Sequence, residues 1–265
     1  MAQAALVGMM SPFADRSVRH QTTPVAIDRA SHSSVTSILK RRVDAIHRFQ
    51  TFSEISAADC SAILSEAQEV HFQRHSTIFN EGTAATPVAL LVSGCLKATQ
   101  NGTSGQEVIL RLNGPGDVLG KVGNERDAKH WYTAYAVQAS TVLRWETDTF
   151  ESIVKRFPIL RRNIANDLER QLNELEIRFR EVSTEKVAAR LSNLLVRLVH
   201  QVGKHSDGCV EIALSRRDLA QLTGTTLFTV SRLLCQWKTH GIVSARREAV
   251  LVHNVPALQE LSGAE

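Results

Sequence analysis

From Ile159 to Val202 the chain carries no glycine and no proline. Inside a helix these residues cost roughly 1 and 3 kcal/mol relative to alanine, so a run without them is free to form long helix. Within the run, Leu168, Leu172, Leu175, Phe179 and Val182 recur at spacings of 4, 3, 4 and 3, with charged residues around them. Such a row is the a/d seam of a coiled coil and predicts a helix that pairs with a second copy of itself, the alternative being a helix that lies on its own domain. Ile164 stands one step before the row and extends it. The stretch "STEK", Ser183 to Lys186, resembles a capping box that would end this helix and start the next.

The preceding segment has the opposite texture. "EVHFQRHSTIF", "VALLVSGCLKATQ", "QEVILRL" and "STVLRW" are short alternating or β-branched runs, separated by Glu81-Gly82, Asn101-Gly102, Gly105 and Gly114-Pro115-Gly116. Strands punctuated this often predict an antiparallel barrel or jelly roll. Residues 1–42, rich in Ser, Thr, Ala and His without a sustained period, read as a flexible arm.

The C-terminal part reads strand, helix, turn, helix, hairpin. "VEIAL" is a strand, and Ser215 caps "RRDLAQLT". Gly224 turns the chain, Thr225 or Thr226 caps "LFTVSRLLCQWKTH", and Gly241 ends that helix. "IVSARREAVLVH" forms a two-stranded wing that turns near Arg246 to Glu248. Leu219, Ala220, Leu222, Gly224, Val230, Leu233 and Leu234 have the spacing of a helix-turn-helix skeleton, with a small residue where two helices cross. Between Ser215 and Glu248 the basic residues Arg216, Arg217, Arg232, Lys238, Arg246 and Arg247 face only Asp218 and Glu248, a surplus of +4 that equals the net charge of the whole chain. A solvated helical hairpin is the bland alternative. The flanking strand, the wing and the concentrated charge favour a DNA backbone as the partner.

Other chemistry finds little support. At 43% hydrophobic and 22% charged residues the composition is globular. Cys60, Cys95, Cys209 and Cys235 are scattered, with no CxxC or CxxH pair for zinc, and read as reduced thiols. No apolar run approaches the roughly 20 residues that span a bilayer, and no basic region precedes the apolar start. A cytoplasmic protein without membrane association is expected. His71 and His75, placed on one strand face, with Glu81 faintly echo the metal set of cupin enzymes, but the HxH spacing is missing. No nucleophile–base grouping or carboxylate pair stands out, so neither an enzyme nor a metal site is expected.

The chain from about residue 45 to 262 resembles the CRP/FNR family of bacterial transcription regulators. "GPGDVLG", "STEKVAARLSNLLVRL" and above all "SRRDLAQLTGTTLFTVSRLLCQWKTHGIV" carry the resemblance. It implies an α+β fold: an N-terminal β-roll or jelly-roll sensor domain of the cyclic-nucleotide-binding type over residues 43–157, a dimerisation helix over 158–184, and a winged helix-turn-helix over 185–265. It implies double-stranded DNA, a second copy of the chain, RNA polymerase and a small-molecule effector as partners. The residues expected at DNA are Arg216, Thr225, Thr226, Leu227, Phe228, Ser231, Arg232 and Arg246. Arg232 suits guanine O6 and N7, and Phe228, where family members carry Glu, suits a thymine methyl.

The loop "GPGDVLGKVG", Gly114 to Gly123, resembles a phosphate cradle, yet Pro115 and Val122 break the P-loop spelling. In nucleotide-binding relatives a Glu follows the last glycine of the motif, and an Arg-Ser pair comes about ten residues later. Here Lys121 takes the Glu position, His130-Trp131 take the Arg-Ser positions, and Leu175-Glu176 match the Thr-Ser that meets the purine. The expected effector pocket therefore comprises Gly120, Lys121, Val122, His130, Trp131 and Tyr132, and cAMP is not expected in it. An iron–sulfur cluster is not expected either, because only Cys60 lies near the N-terminal region where the family places its cysteines. With ten histidines in the chain, haem stays open. A cyclic-nucleotide or haem/gas sensor with an atypical pocket is the rival reading, and a metal-dependent cupin-like enzyme a more distant one.

Overall fold

The computed structural model describes residues 41–103, 105–120, 128–206 and 208–263. The arm expected over 1–42 lies outside the described residues up to position 40. Residues 41–46 are helical, and Arg42 pairs with Glu69 at 2.8 Å, so 41 and 42 join the domain that follows. A helical turn at Gln50–Phe52 leads to α1, Ala57–Ser65, whose cap Ser56 accepts from the Asp59 N–H.

Eight strands then build two four-stranded antiparallel sheets: β1 Gln68–Phe72, β2 Thr77–Phe79, β3 Val88–Ser93, β4 Leu96–Asn101, β5 Glu107–Asn113, β6 Val118–Leu119, β7 Thr133–Ala136 and β8 Ser140–Trp145. One sheet runs β1-β8-β3-β6 and the other β2-β7-β4-β5. The first four residues of β3 are all buried. The helices around the roll cover one side of its core, where the Trp145 indole donates to the Ile63 carbonyl at 3.0 Å.

After α2, Thr147–Arg156, comes α3, Pro158–Thr184, with proline in its first turn where no N–H is needed. The start of α3 belongs to the roll. Leu160 and Ile164 are buried in its core, and the Asn163 side chain donates to the carbonyls of Thr51 and Ser53 at 3.2 and 2.7 Å. Ile164, expected in the dimer seam, is only 4% exposed and has no surface to offer a second chain. The capping box expected at "STEK" does not form either. Ser183 and Thr184 stay helical and bond back to the carbonyls of Phe179 and Arg180, and the next helix, α4 Val187–Gln201, starts at Lys186 without a side-chain cap.

A third antiparallel sheet, also of four strands, frames the C-terminal domain. Its strands are β9 Lys204–Ser206, β10 Cys209–Ile212, β11 Val243–Ala245 and β12 Val250–Val252. Its helices are α5 Arg216–Thr223, α6 Leu227–Thr239 and α7 Val255–Gly263. The core of this domain runs on into the roll through Cys95, Ile109, Leu112 and Val137. At that junction Lys97 bridges Asp218 at 3.0 Å and Glu107 at 3.5 Å.

The glycine loop between β5 and β6 uses its amides on the protein itself. The Gly114 N–H donates to the Asp117 carboxylate at 2.9 Å, the Gly116 N–H to the Leu91 carbonyl at 2.8 Å, and the Asp117 N–H to the Gly114 carbonyl at 3.1 Å. Gly116 has a φ of 100°, and a Cβ there would stand 3.2 Å from the Phe49 ring. Asp117 also reaches Arg170 of α3 at 3.2 Å. Burial pushes the Asp117 carboxyl up to about 6, with Asp167 adding to the rise, while the Gly114 N–H, Arg170 and Asn113 oppose it. A carboxyl that holds its proton more tightly folded than unfolded stabilises the fold below its unfolded value near 3.8, and that contribution is lost as pH rises through about 6. Asp117→Asn should therefore flatten the fall in stability between pH 4 and pH 7 by on the order of 2–3 kcal/mol, read from urea midpoints of both proteins at the two pH values.

Candidate functional site

The helix-turn-helix is built by three local devices. A reciprocal capping box opens α5: the Ser215 hydroxyl accepts from the Asp218 N–H at 3.1 Å, and the Asp218 carboxylate accepts from the Ser215 N–H at 3.1 Å. Gly224 closes α5 in the left-handed conformation at φ 61°, and the Thr225 N–H returns to the Ala220 carbonyl at 3.0 Å. Thr226, and not Thr225, caps α6 by accepting from the Thr229 N–H.

These constraints orient α6. Val230, Leu233, Leu234 and Trp237 are buried against the domain core. Phe228, 78% exposed, and the exposed Arg232 point away from them, Ser231 is half-buried beside these, and Leu227, one heptad before Leu234, is 51% exposed at the start of the helix. Two large apolar side chains thus stand open at the start of the helix, next to an arginine. In the wing, the Arg246 N–H bonds to the Ala249 carbonyl across the turn, and the Arg246 guanidinium lies 3.9 Å from Glu211. Arg217, Arg232, Lys238, Arg246 and Arg247 are exposed, and Arg216 is half-buried. Both acids of this segment are engaged by cations from the roll: Asp218 by Lys97 at 3.0 Å and Glu248 by Arg74 at 2.5 Å.

The expected seam lies along α3. Leu168, Leu172, Leu175, Phe179 and Val182 are between 47% and 75% exposed. Together with Arg111, Arg178 and Leu198, among others, Leu168, Leu172 and Leu175 border a cavity of about 650 Å³ between α3, the roll and α4.

A second cavity, about 340 Å³, opens where the expected effector pocket was placed. Gly120, His130, Trp131 and Tyr132 line it, whereas Lys121 and Val122 lie outside the described residues. Gly120 has a φ of 94°, and a Cβ there would meet the Pro87 carbonyl at 3.2 Å, so no other residue fits this turn without strain. His130 is buried and stacks on Phe79 with ring centroids 3.7 Å apart and an interplanar angle of 10°. Burial pushes its pKa below the ordinary imidazole value, which favours the neutral ring. The contribution of α3 to this cavity is Ile164, Asp167 and Leu168, not the Leu175-Glu176 pair that the resemblance implied. Among the lining residues that the sequence reading missed is Arg111 of β5, whose guanidinium stands 4.8 Å over the Tyr132 ring. A single arginine in an alternating strand carries no local signal of where it points.

The faint metal set does not assemble. His71 lies on β1 and bonds to the Thr141 hydroxyl, but β1 ends at Phe72, and His75 sits in the following turn at φ 68°. The two imidazoles therefore do not share a strand face. Among the described residues no group of three or more His, Cys, Asp or Glu side chains is placed to hold a metal ion, and no described helix is long and apolar enough to cross a membrane.

Comparison with known proteins agrees with this architecture. The family model for the cyclic nucleotide-binding domain matches residues 69–157, and that for the Crp-like helix-turn-helix domain matches residues 189–261. The cyclic AMP receptor protein of Thermus thermophilus is 26% identical over 212 residues, which is 80% of this chain and 95% of the relative. The nitrogen fixation regulation protein FixK of Bradyrhizobium diazoefficiens is 28% identical over 204 residues, covering 76% and 84% of the two chains. The solved structure of FixK2 from Bradyrhizobium japonicum superposes with a TM-score of 0.63 at 25% identity, over 75% of this chain and 98% of that one. A β-roll of the cyclic-nucleotide-binding type, a long helix and a Crp-like helix-turn-helix in one chain place this protein in the CRP/FNR family of transcription regulators.

Proposed function

We propose that the protein is a cytoplasmic homodimeric regulator that reads a pseudo-palindromic DNA site with α6 and does not answer to cAMP. The observation that carries the reading is the outer face of α6. Its inner residues are buried, and Leu227, Phe228, Ser231 and Arg232, in its first two turns, are among the side chains left to enter a major groove. Arg216, Thr225, Thr226 and Arg246 flank that face and suit phosphates, which position a protein without reading sequence. A two-fold dimer would present two such helices about one helical turn apart. RNA polymerase is the further partner that a regulator of this kind engages.

Arg232→Ala should cost roughly 1–3 kcal/mol per half-site and relax preference at one base pair, whereas Arg246→Ala should weaken all sequences alike and reduce the salt dependence. Selection from random duplexes reads both effects. In the same assay Phe228→Glu should move preference from thymine towards a pair with an amino donor in the groove, and an unchanged consensus would mean that Phe228 does not face bases.

The seam supports dimerisation, because a row of large apolar residues about half exposed in a single chain is stabilised when a second copy covers it. Leu172→Glu would bury an unpaired charge in each copy. Light scattering at micromolar concentration should then report a monomer, and a persistent dimer would place the interface elsewhere.

The reading of the ligand domain rests on the polar groups around the cavity. The described loop amides are spent on protein acceptors, His130 is stacked and favours its neutral form, and Asp167 is held by Arg170 at 2.5 Å. Among the described residues no unpaired carboxylate lines the cavity to receive a ribose hydroxyl. Calorimetric titration with cAMP should give no low-micromolar binding, although the Thermus relative is named as a cyclic AMP receptor.

A further inference from the structure

The cavity beside His130 has a chemical character of its own. Its walls are apolar and aromatic, formed by Leu110, Leu168, Tyr132 and the exposed Trp131 at the edge. Phe79 ties the aromatic side together: it stacks on His130 and meets Tyr132 edge-on at 5.2 Å and 64°. Arg111 completes the ladder, with its guanidinium over the Tyr132 face. Its Nε is buried with no hydrogen-bond partner, and among the described residues the guanidinium forms no ion pair. Nε2 of His130, a side chain only 4% exposed, is likewise buried and unpartnered. Two orphaned polar atoms on residues that line one cavity are costly unless a partner answers them. Among the described residues, the charges lining the space are Arg111, Lys129 at the exposed edge, and Asp167, which Arg170 and Gln171 already occupy.

We infer that this cavity binds a small aromatic carboxylate of one or two rings, with the carboxylate on Arg111 and the ring between Tyr132 and the leucines. A guanidinium presents paired N–H groups that match a carboxylate, and it retains its charge in a half-buried setting. The volume, about 340 Å³, suits a compact ligand, since pockets for small molecules begin near 300 Å³. The aromatic side chains of Trp131 and Tyr132 in the lining favour a planar ring over an aliphatic chain. The neutral His130 Nε2 is left to exchange one hydrogen bond with a substituent on that ring, such as a phenolic hydroxyl. This inference rests on the proposal that the domain is a sensor that does not respond to cAMP, and it supplies the class of compound that would take the nucleotide's place.

The test uses the full-length protein and calorimetry with 2-naphthoate, its neutral counterpart 2-naphthamide, benzoate and cAMP. Saturable binding of one 2-naphthoate per chain below about 1 mM is expected, with the amide about tenfold weaker or worse, because it lacks the charge that Arg111 answers. Arg111→Gln should lose the acid by about tenfold, and Arg111→Lys should keep the preference for acid over amide. The acid–amide comparison on the unaltered protein stands even if the Arg111 variants fail to fold. Equal binding of acid and amide, no binding of either aromatic acid, or undiminished binding by a folded Arg111→Gln protein would overturn the inference. DNA binding measured on the same samples separates the two readings. A protein that selects its DNA site and ignores the acids defeats only the ligand assignment, whereas one that selects no DNA defeats the regulator itself.

Discussion

One guanidinium joins three parts of the chain. Arg178, on the second turn from the end of α3, donates to the carbonyls of Leu110 and Ile109 on β5 and of Leu222 at the end of α5, the last two at 3.2 and 3.1 Å. Burial pushes its pKa down from the ordinary arginine value, and the nearby charge of Arg197 adds to that. Taking a cation out of water costs several kcal/mol, so the arrangement persists only because carbonyl oxygens from separate elements converge on it. The Leu222 carbonyl is one of those that a helix end leaves without an internal partner, and a cation there also answers the negative end of the helix dipole. The long helix, the roll and the helix-turn-helix are thus held at one point by charge–dipole contact.

Arg190 repeats the device one layer further on. It donates to the carbonyls of Thr223 at 3.2 Å, Glu185 at 2.8 Å and Val182 at 3.4 Å, so the end of α3 and the end of α5 share a second cation. Arg197 pairs with both oxygens of Glu181, a residue only 5% exposed. Lys97 of the roll meets Asp218 in the first turn of α5. The carboxylate that caps the first helix of the DNA-binding motif is therefore the same group that holds this motif on the ligand domain. The cavity beside Arg111 and the clamp at Arg178 draw on adjacent residues of one strand, since Arg111 follows Leu110 in β5. A ligand against Arg111 would lie next to the strand that carries the clamp.

Much of this was legible from local pattern. Ser215, Gly224, Thr226 and Gly241 mark the helix-turn-helix because caps and left-handed turns depend on residues a few positions apart. The row from Leu168 to Val182 shows in the spacing alone, since a helix places such residues on one stripe whatever surrounds it. Short elements were missed: β6 and β7, two and four residues long, carry too little alternation to stand out. α1 and α2 were missed as well, because each lies against the roll and its apolar residues blend into the strand texture around it. Ile164 fits the seam by spacing, yet α3 sinks its first turns into the roll, and nothing in the spacing tells where a helix leaves one neighbour for another. Ser183 and Thr184 spell a cap, but their hydroxyls found carbonyls one turn back and the helix continued.

By itself the sequence determined the order of parts, the family, the second helix of the helix-turn-helix and which of its faces is apolar, because each follows from periodicity, capping and charge within a short window. The tertiary structure decided what the cavity beside His130 is made of. Arg111, His130, Tyr132 and Leu168 come from a strand, the edge of another strand and a distant helix, and only the packing of the roll against α3 brings them together. It also decided that the loop between β5 and β6, whose glycines spell a cradle for an anion, gives its N–H groups to Asp117, Leu91 and Gly114. A hydrogen-bond donor serves one strong acceptor at a time, and here the acceptor is the protein's own.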